Sequence, residues 1–225
     1  MKTRDLITLH FRLECVAVSP AHDLVPIPCP NPDRIPRFYI AQHTDDGAVS
    51  RFFRHDLPKG VRHGLAALSD REAVRNHDLV RRLLAAHAEC DHVHYGKSYI
   101  GRAAFPPTDY PNVVHLDERY RGLIEQYDAR INRSRWAVFA VILEGRIVST
   151  CESSREDEAA AESWVRTLPE CRGRGFARQV TAAWIAHALA QGKVPFYSHR
   201  VDNVASEGVA RSLGLAQFIT DTAYA

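Results

Sequence analysis

Between Pro169 and an apolar run that opens at Phe176, the chain reads Arg172-Gly173-Arg174-Gly175. The first amides of a helix have no intrahelical acceptor, and the helix dipole adds roughly half a positive charge beside them. An anion such as a pyrophosphate rests well on those amides, provided no Cβ blocks its approach. Gly173 and Gly175 remove that obstacle, while Arg172 and Arg174 add charge. The four residues by themselves favour the plainer alternative, a tight strand-to-helix turn with solvated arginines. Two familiar phosphate motifs are excluded. A nucleotide P-loop needs Lys-Ser/Thr where Phe176-Ala177 stands, and G-x-G-x-x-G needs a third glycine where Arg178 stands.

Few other residues combine type and spacing in a way that points to chemistry. His92 and His94 alternate on a strand-like run, but no further ligands lie near them in sequence, so no metal is expected. The five cysteines, Cys15, Cys29, Cys90, Cys151 and Cys171, are odd in number and lack any C-x-x-C spacing. That argues against a disulfide framework and for a reducing, cytoplasmic setting. Cys171 stands inside the arginine–glycine stretch, where a helix N-terminus lowers a thiol's pKa, but nothing else marks it as a nucleophile.

The elements that must hold this stretch are legible on either side of it. "AESWVRTLP" reads as a strand ending at Pro169. "GFARQVTAAWIAHALAQG" reads as a helix with Ala177, Val180, Trp184 and Ala188 on one stripe and Gly192 at its C-terminal end. "VPFYSHR" reads as a strand, "NVASEGVARSLG" as a helix closed by Gly214, and "LAQFIT" as a last strand. Upstream, "RWAVFAVILEGRIVSTCES" forms a hairpin through Glu144-Gly145, and Asp117 caps a helix over "ERYRGLIEQYDARI". A mixed sheet flanked by helices buries all these faces.

In the first half, "LITLHFRLECVAV" alternates, with Ile7, Leu9, Phe11, Leu13 and Cys15 on one face, which predicts a half-buried strand. The proline-rich "SPAHDLVPIPCPNPDRIP" predicts a loop. "RFYIAQHTDDGAVSRFF" predicts a hairpin. Two helices and a strand over "HVHYGKSYI" follow. The triple-proline "AFPPTDYPN" is the best linker, which sets a boundary near residue 111.

"TLPECRGRGFA", followed one helix and one strand later by "DNVASEGVARSLGL", resembles the GNAT superfamily of acyl-CoA N-acyltransferases. The family's pyrophosphate loop, Arg/Gln-x-x-Gly-x-Gly/Ala, is matched by Arg172, Gly175 and Ala177, with Pro169 just before it. The family's later Asn, and the helix ending in Leu-Gly-apolar, are matched by Asn203 and by Leu213-Gly214-Leu215. The likeness covers roughly residues 113–225.

The resemblance implies an α+β fold with a mixed, mostly antiparallel central sheet flanked by helices. It implies a catalytic domain over 112–225. Over 1–111 the family pattern gives out; this N-terminal α/β extension is expected to pack on the catalytic sheet, because the alternating strand at 6–17 must bury its apolar face. It implies acetyl-CoA as acyl donor, lying between two parallel strands that splay apart, and direct attack by a primary amine. Main-chain groups of Val165, Thr167 and Leu168 would hold the pantetheine arm and supply the oxyanion donor. Amides from Arg172, Gly173, Arg174, Gly175, Phe176 and Ala177 would hold the diphosphate, with Asn203 and Ser206 adding contacts. For the base it points to Glu162 first and Glu152 second. A tyrosine usual in the family as the thiolate's acid is replaced by Ala210, leaving Ser206, Tyr197, His199 or solvent for that role. A non-catalytic acyl-CoA sensor or scaffold is therefore the alternative reading.

Composition bounds the partners. Hydrophobic residues make up 45% and charged residues 25%, as in a globular chain, and the net charge is only +2. No nucleic-acid surface is implied. The N-terminus is too charged for a signal-peptide core, and no apolar run reaches membrane-spanning length. The 1–111 part is open to shaping the acceptor pocket, covering it, or making a homodimer contact.

Overall fold

The computed structural model describes residues 1–28, 35–90, 92–102, 110–127 and 136–225. They divide into two compact units. One comprises 1–98, 199–203 and 217–225, the other 99–198 and 204–216. Most of the triple-proline linker lies outside the described residues.

The first unit opens with helix α1 (Thr3–Leu13), not the expected strand. Its buried residues are Thr3, Leu6, Ile7, Phe11 and Leu13. The pair Ile7 and Phe11 satisfies both a two-residue and a four-residue period. Leu6 with Thr3 settles the matter for a helix, because Leu6 would point the wrong way in a strand. The loop expected after it holds two short strands, β1 (Val16–Val18) and β2 (Asp23–Pro26). They pair antiparallel, and Pro26 is tolerated as the last residue of β2. Cys15 is disulfide-bonded, which corrects the all-thiol expectation, while Cys90, Cys151 and Cys171 are free.

The expected hairpin forms from β3 (Phe38–His43) and β4 (Val49–Arg54), and β11 (Ala216–Tyr224) pairs antiparallel with β3. Alternation along β3 feeds two faces. Tyr39, with Phe52 of β4, meets Phe11 of α1 edge-on, at ring-centroid distances of 4.8 and 5.3 Å. Phe38, Ile40 and Phe53 face the other way, in one core cluster with Leu65, Val80 and Leu84. Those three come from α2 (Lys59–Ala66) and α4 (His77–Ala85). Between them α3 (Asp70–Arg75) is closed by a Ser69/Glu72 capping box. Strand β5 (Val93–Ile100) completes this part of the chain.

In the second unit β6 (Val113–His115), β7 (Phe139–Leu143), β8 (Arg146–Glu156) and β9 (Ala160–Thr167) run antiparallel in that order. The β7–β8 turn puts Glu144 and Gly145 at φ +50° and +71°. Strand β10 (Val194–Arg200) lies parallel to β9. Helix α5 (Arg121–Tyr127) covers one face, over Ala140 and Ile147. Helix α6 (Phe176–Ala190) covers the other, burying Val180, Ala182, Trp184 and Ile185 against Val141, Cys151 and Ala161. Helix α7 (Val204–Ser212) follows β10. A mixed, mostly antiparallel sheet flanked by helices is the architecture expected from the order of elements.

Candidate acyl-donor site

Strands β9 and β10 are in register at Ala160/Val194, Ala161/Pro195 and Glu162/Phe196, and there the ladder ends. β9 continues to Thr167 and β10 to Arg200 without a further pair between them. Two neighbouring parallel strands that stop pairing leave an opening edged by main chain that no longer pairs across it. Backbone groups in such a gap need partners, and an extended polar ligand arm supplies them.

The far end of β9 leads into the arginine–glycine stretch. A 3₁₀ turn over Pro169–Cys171 is closed by the Cys171 amide on the Leu168 carbonyl at 2.9 Å. Gly173 and Gly175 both take left-handed backbone conformations, φ +74° and +80°. Gly175 is the N-cap of α6, so no side chain caps the helix. Space around both glycines is open, with nothing within 4 Å of where a Cβ would stand. Glycine takes this conformation without strain, and the turn leaves no side chain over the helix start, a geometry compatible with an anion.

Charge around the turn is unevenly committed. Arg146 pairs with Glu170 at 2.5 Å. The Arg174 guanidinium sits 4.9 Å from the Phe176 ring centre, and Arg172 Nε donates to the Thr167 carbonyl at 3.4 Å. Among the described residues no ion pair engages Arg172 or Arg174. The Phe176 side chain and Cys171 are buried in the core beneath, which leaves Phe176 its amide and Cys171 a packing role. Leu168 has both backbone groups engaged internally, its amide donating to Val148 at 2.9 Å. Val165 and Thr167 remain on the stretch of β9 beyond the ladder.

Register decides which side chains share a face. Glu152 on β8 stands opposite Trp164 on β9, and Glu162 lies two residues before Trp164. All three therefore share the face that α5 covers, where Arg166 lies 5.4 Å from the Tyr127 ring. Ser153 and Ser163 share the opposite face, toward α6. Glu162 and Glu152 are buried, at 6% and 9% exposure, whereas Trp164 is 48% exposed. A β-bulge follows between Ser153 and Arg155, where Ser154 Oγ donates to the Glu162 carbonyl at 3.2 Å. Beneath it Trp184 Nε1 donates to Ser153 Oγ at 3.0 Å. That hydroxyl in turn donates to Glu156, which pairs with Lys193.

On the helix side of the opening, Ala210 is fully buried in a cluster with Tyr99 and Tyr197. The Tyr197 hydroxyl donates to the Ser206 carbonyl at 3.3 Å, and the Tyr99 hydroxyl donates to Glu207 Oε2 at 3.0 Å. Burial pushes the Tyr197 phenol up to about 12, so it stays protonated across the neutral range. Burial and then Glu207 raise the Tyr99 phenol further. A tyrosine at 210 is absent from the helix, yet two phenols from neighbouring strands surround that position. Sequence reading reached Tyr197 as one option but missed Tyr99, which lies 98 positions before it and carries no local signal.

Asn203 is exposed and immediately precedes α7, and Ser206 is half-buried in the first turn of that helix. Burial holds the Cys151 thiol well above its ordinary range, so it is inert. Among the described residues, the one group of His, Cys, Asp and Glu close enough to share an ion is His43, Asp45 and Asp46, in the β3–β4 turn. His92 and His94 are not part of it. No helix among the described residues is long and apolar enough to cross a membrane.

Residues 137–224 match the family model for GNAT acetyltransferases. A crystal structure described as a GNAT-family acetyltransferase from Novosphingobium aromaticivorans aligns at TM-score 0.50 and 26% identity. That alignment covers 60% of this chain and 64% of the other, just under two thirds of its length. A GNAT-family acetyltransferase from Colwellia psychrerythraea aligns at TM-score 0.52 over 100% of this chain and 97% of its own, at 13% identity. That likeness speaks for the fold alone. A comparison with curated proteins found no match.

Proposed function

We propose, from the match of residues 137–224 to the family model for GNAT acetyltransferases, that the chain transfers an acetyl group from acetyl-CoA to a primary amine. One observation carries the reading. The β9–β10 ladder ends at Glu162/Phe196, and β9 then leads into an uncapped helix start with two open glycines. A thioester arm and a diphosphate on one ligand fit that succession.

In this reading the amides from Arg172 to Ala177 hold the diphosphate, with Arg172 and Arg174 adding charge. β9 main chain around Val165 and Thr167 orients the pantetheine, and one amide there stabilises the oxyanion, worth about 3 kcal/mol for a single good donor. Asn203 and Ser206 contact the donor from the α7 side. Glu162, buried on the opposite face, takes the proton from the attacking ammonium, directly or through water, with Glu152 as the second candidate. The amine nitrogen then bonds the carbonyl carbon, gives up its second proton to solvent, and the carbon–sulfur bond breaks; solvent also returns the proton that the thiolate's acid donates. Tyr197, held protonated by its burial, gives the thiolate its proton, with Ser206 the alternative donor.

The buried Ala210 favours a second reading, an acyl-CoA-binding module without turnover. Calorimetry with acetyl-CoA, followed by thiol release across a panel of small amines, separates the two. Binding with release supports the enzyme, and binding without release from any amine supports the module. Absence of binding removes both.

A further inference from the structure

Two features of the molecule lie outside that reading, and a third is used by it only in part. The His43, Asp45 and Asp46 group is an exposed acidic turn with nothing pointing to a ligand. The depression lined by Leu143, Glu144, Arg146, Cys171 and Arg174 carries two carboxylates for its two arginines once Glu170, paired with Arg146, is counted. It therefore shows no preference for an anion. The third feature is the pair of phenols at the start of α7.

Tyr99 and Tyr197 are 5% and 4% exposed, lie on different strands, and pack together over Ala210. Their hydroxyls end on consecutive residues of α7, the Ser206 carbonyl and the Glu207 carboxylate. A helical carbonyl already has its own acceptor duty toward the residue four positions on, so the Tyr197 bond is an added tether. Glu207 is also within 3.7 Å of Arg211, one turn along, which orients its carboxylate. The bonds fall in the first turn of α7, three and four residues after Asn203, and α7 follows the strand that borders the opening. Hydrophobic packing would hold the helix without them, because Val209, Ala210 and Leu215 already fill the cluster. The two polar bonds instead fix the height and rotation of its first turn.

We propose that Tyr99 and Glu207 are positioning residues that set the first turn of α7 against the acyl donor, and so determine donor affinity rather than the chemical step. The inference rests on the acyl-CoA reading above. Neither residue touches the reacting atoms. The Tyr99 hydroxyl and the Glu207 carboxylate act through the backbone of Ser206 and the segment before it.

The test is calorimetric affinity for acetyl-CoA together with kcat and KM in Tyr99→Phe, Glu207→Ala, Glu207→Gln and the double variant Tyr99→Phe/Glu207→Ala. Tyr99→Phe and Glu207→Ala should each raise the acetyl-CoA Kd and KM about three- to tenfold, the size expected of one hydrogen bond, with kcat retained. Glu207→Gln keeps an acceptor for the phenol and should restore most of the affinity lost in Glu207→Ala. The double variant should be no weaker than the worse single, because both remove one bond. Lowered melting temperature with wild-type Kd and KM would overturn the proposal, as would a fall in kcat alone or a Glu207→Gln no better than Glu207→Ala. A wild-type protein that binds no acetyl-CoA would remove the reading beneath it, an outcome distinct from all of these.

Discussion

Helices α6 and α7 each follow one strand of the parallel pair, yet their starts are built in opposite ways. α6 opens on glycine in a left-handed conformation, with no side chain on its amides and open space around it. α7 opens under two buried phenols, with polar side chains filling the equivalent region. A site made of backbone cannot be tuned by degrees, since any side chain either fits the strained φ or does not. A site made of side chains yields in steps, one bond at a time. The first suits a ligand group that never varies, such as a diphosphate; the second suits adjustment.

Replacement of Gly175 with valine is the sharpest challenge to this contrast. A β-branched residue at φ +80° costs about 1–2 kcal/mol, and its side chain stands where an anion would rest. Acetyl-CoA affinity should fall by about a hundredfold or more while circular dichroism still shows a folded protein, since no neighbour is displaced. Unchanged affinity would reduce the stretch to a turn. Glu162→Gln comes next, with turnover lowered about a hundredfold from acid to neutral pH and donor affinity unaltered. The deficit should narrow in alkali, where the free amine is already deprotonated. A wild-type pH–rate profile would pass the base to Glu152. Smallest is Tyr197→Phe, about tenfold in kcat. Because the phenol titrates only near 12, the loss should be uniform across the neutral range, with no new alkaline limb. A pH-dependent loss would point to another acid.

How much of this was legible beforehand follows from how local each signal is. The loop, the helix it opens and the β7–β8 turn are written in glycines, prolines and short-range periodicity, and those elements came out as expected. α1 was misread because alternate apolar positions and a four-residue spacing overlap at Ile7 and Phe11, and only Leu6 separates them. β1 and β2 were hidden by the prolines around them, although a short strand tolerates Pro26 at its end. The shared face of Glu152, Trp164 and Glu162 depends on the β8–β9 register, which no short-range pattern in the sequence sets. The phenols over Ala210 meet only in three dimensions. Sequence located the arginine–glycine turn and the helix it opens, and the surroundings of α7 had to be seen.

The interrupted ladder has a further consequence, for isotope exchange. Amides of β9 between Ser163 and Thr167 that look toward β10 have no interstrand acceptor there, so in the free protein they should trade hydrogen for deuterium quickly. Their neighbours facing β8 are bonded along the whole strand and should trade slowly. An alternating fast–slow pattern along one strand, erased when acetyl-CoA is added, would mark the gap residue by residue without any substitution.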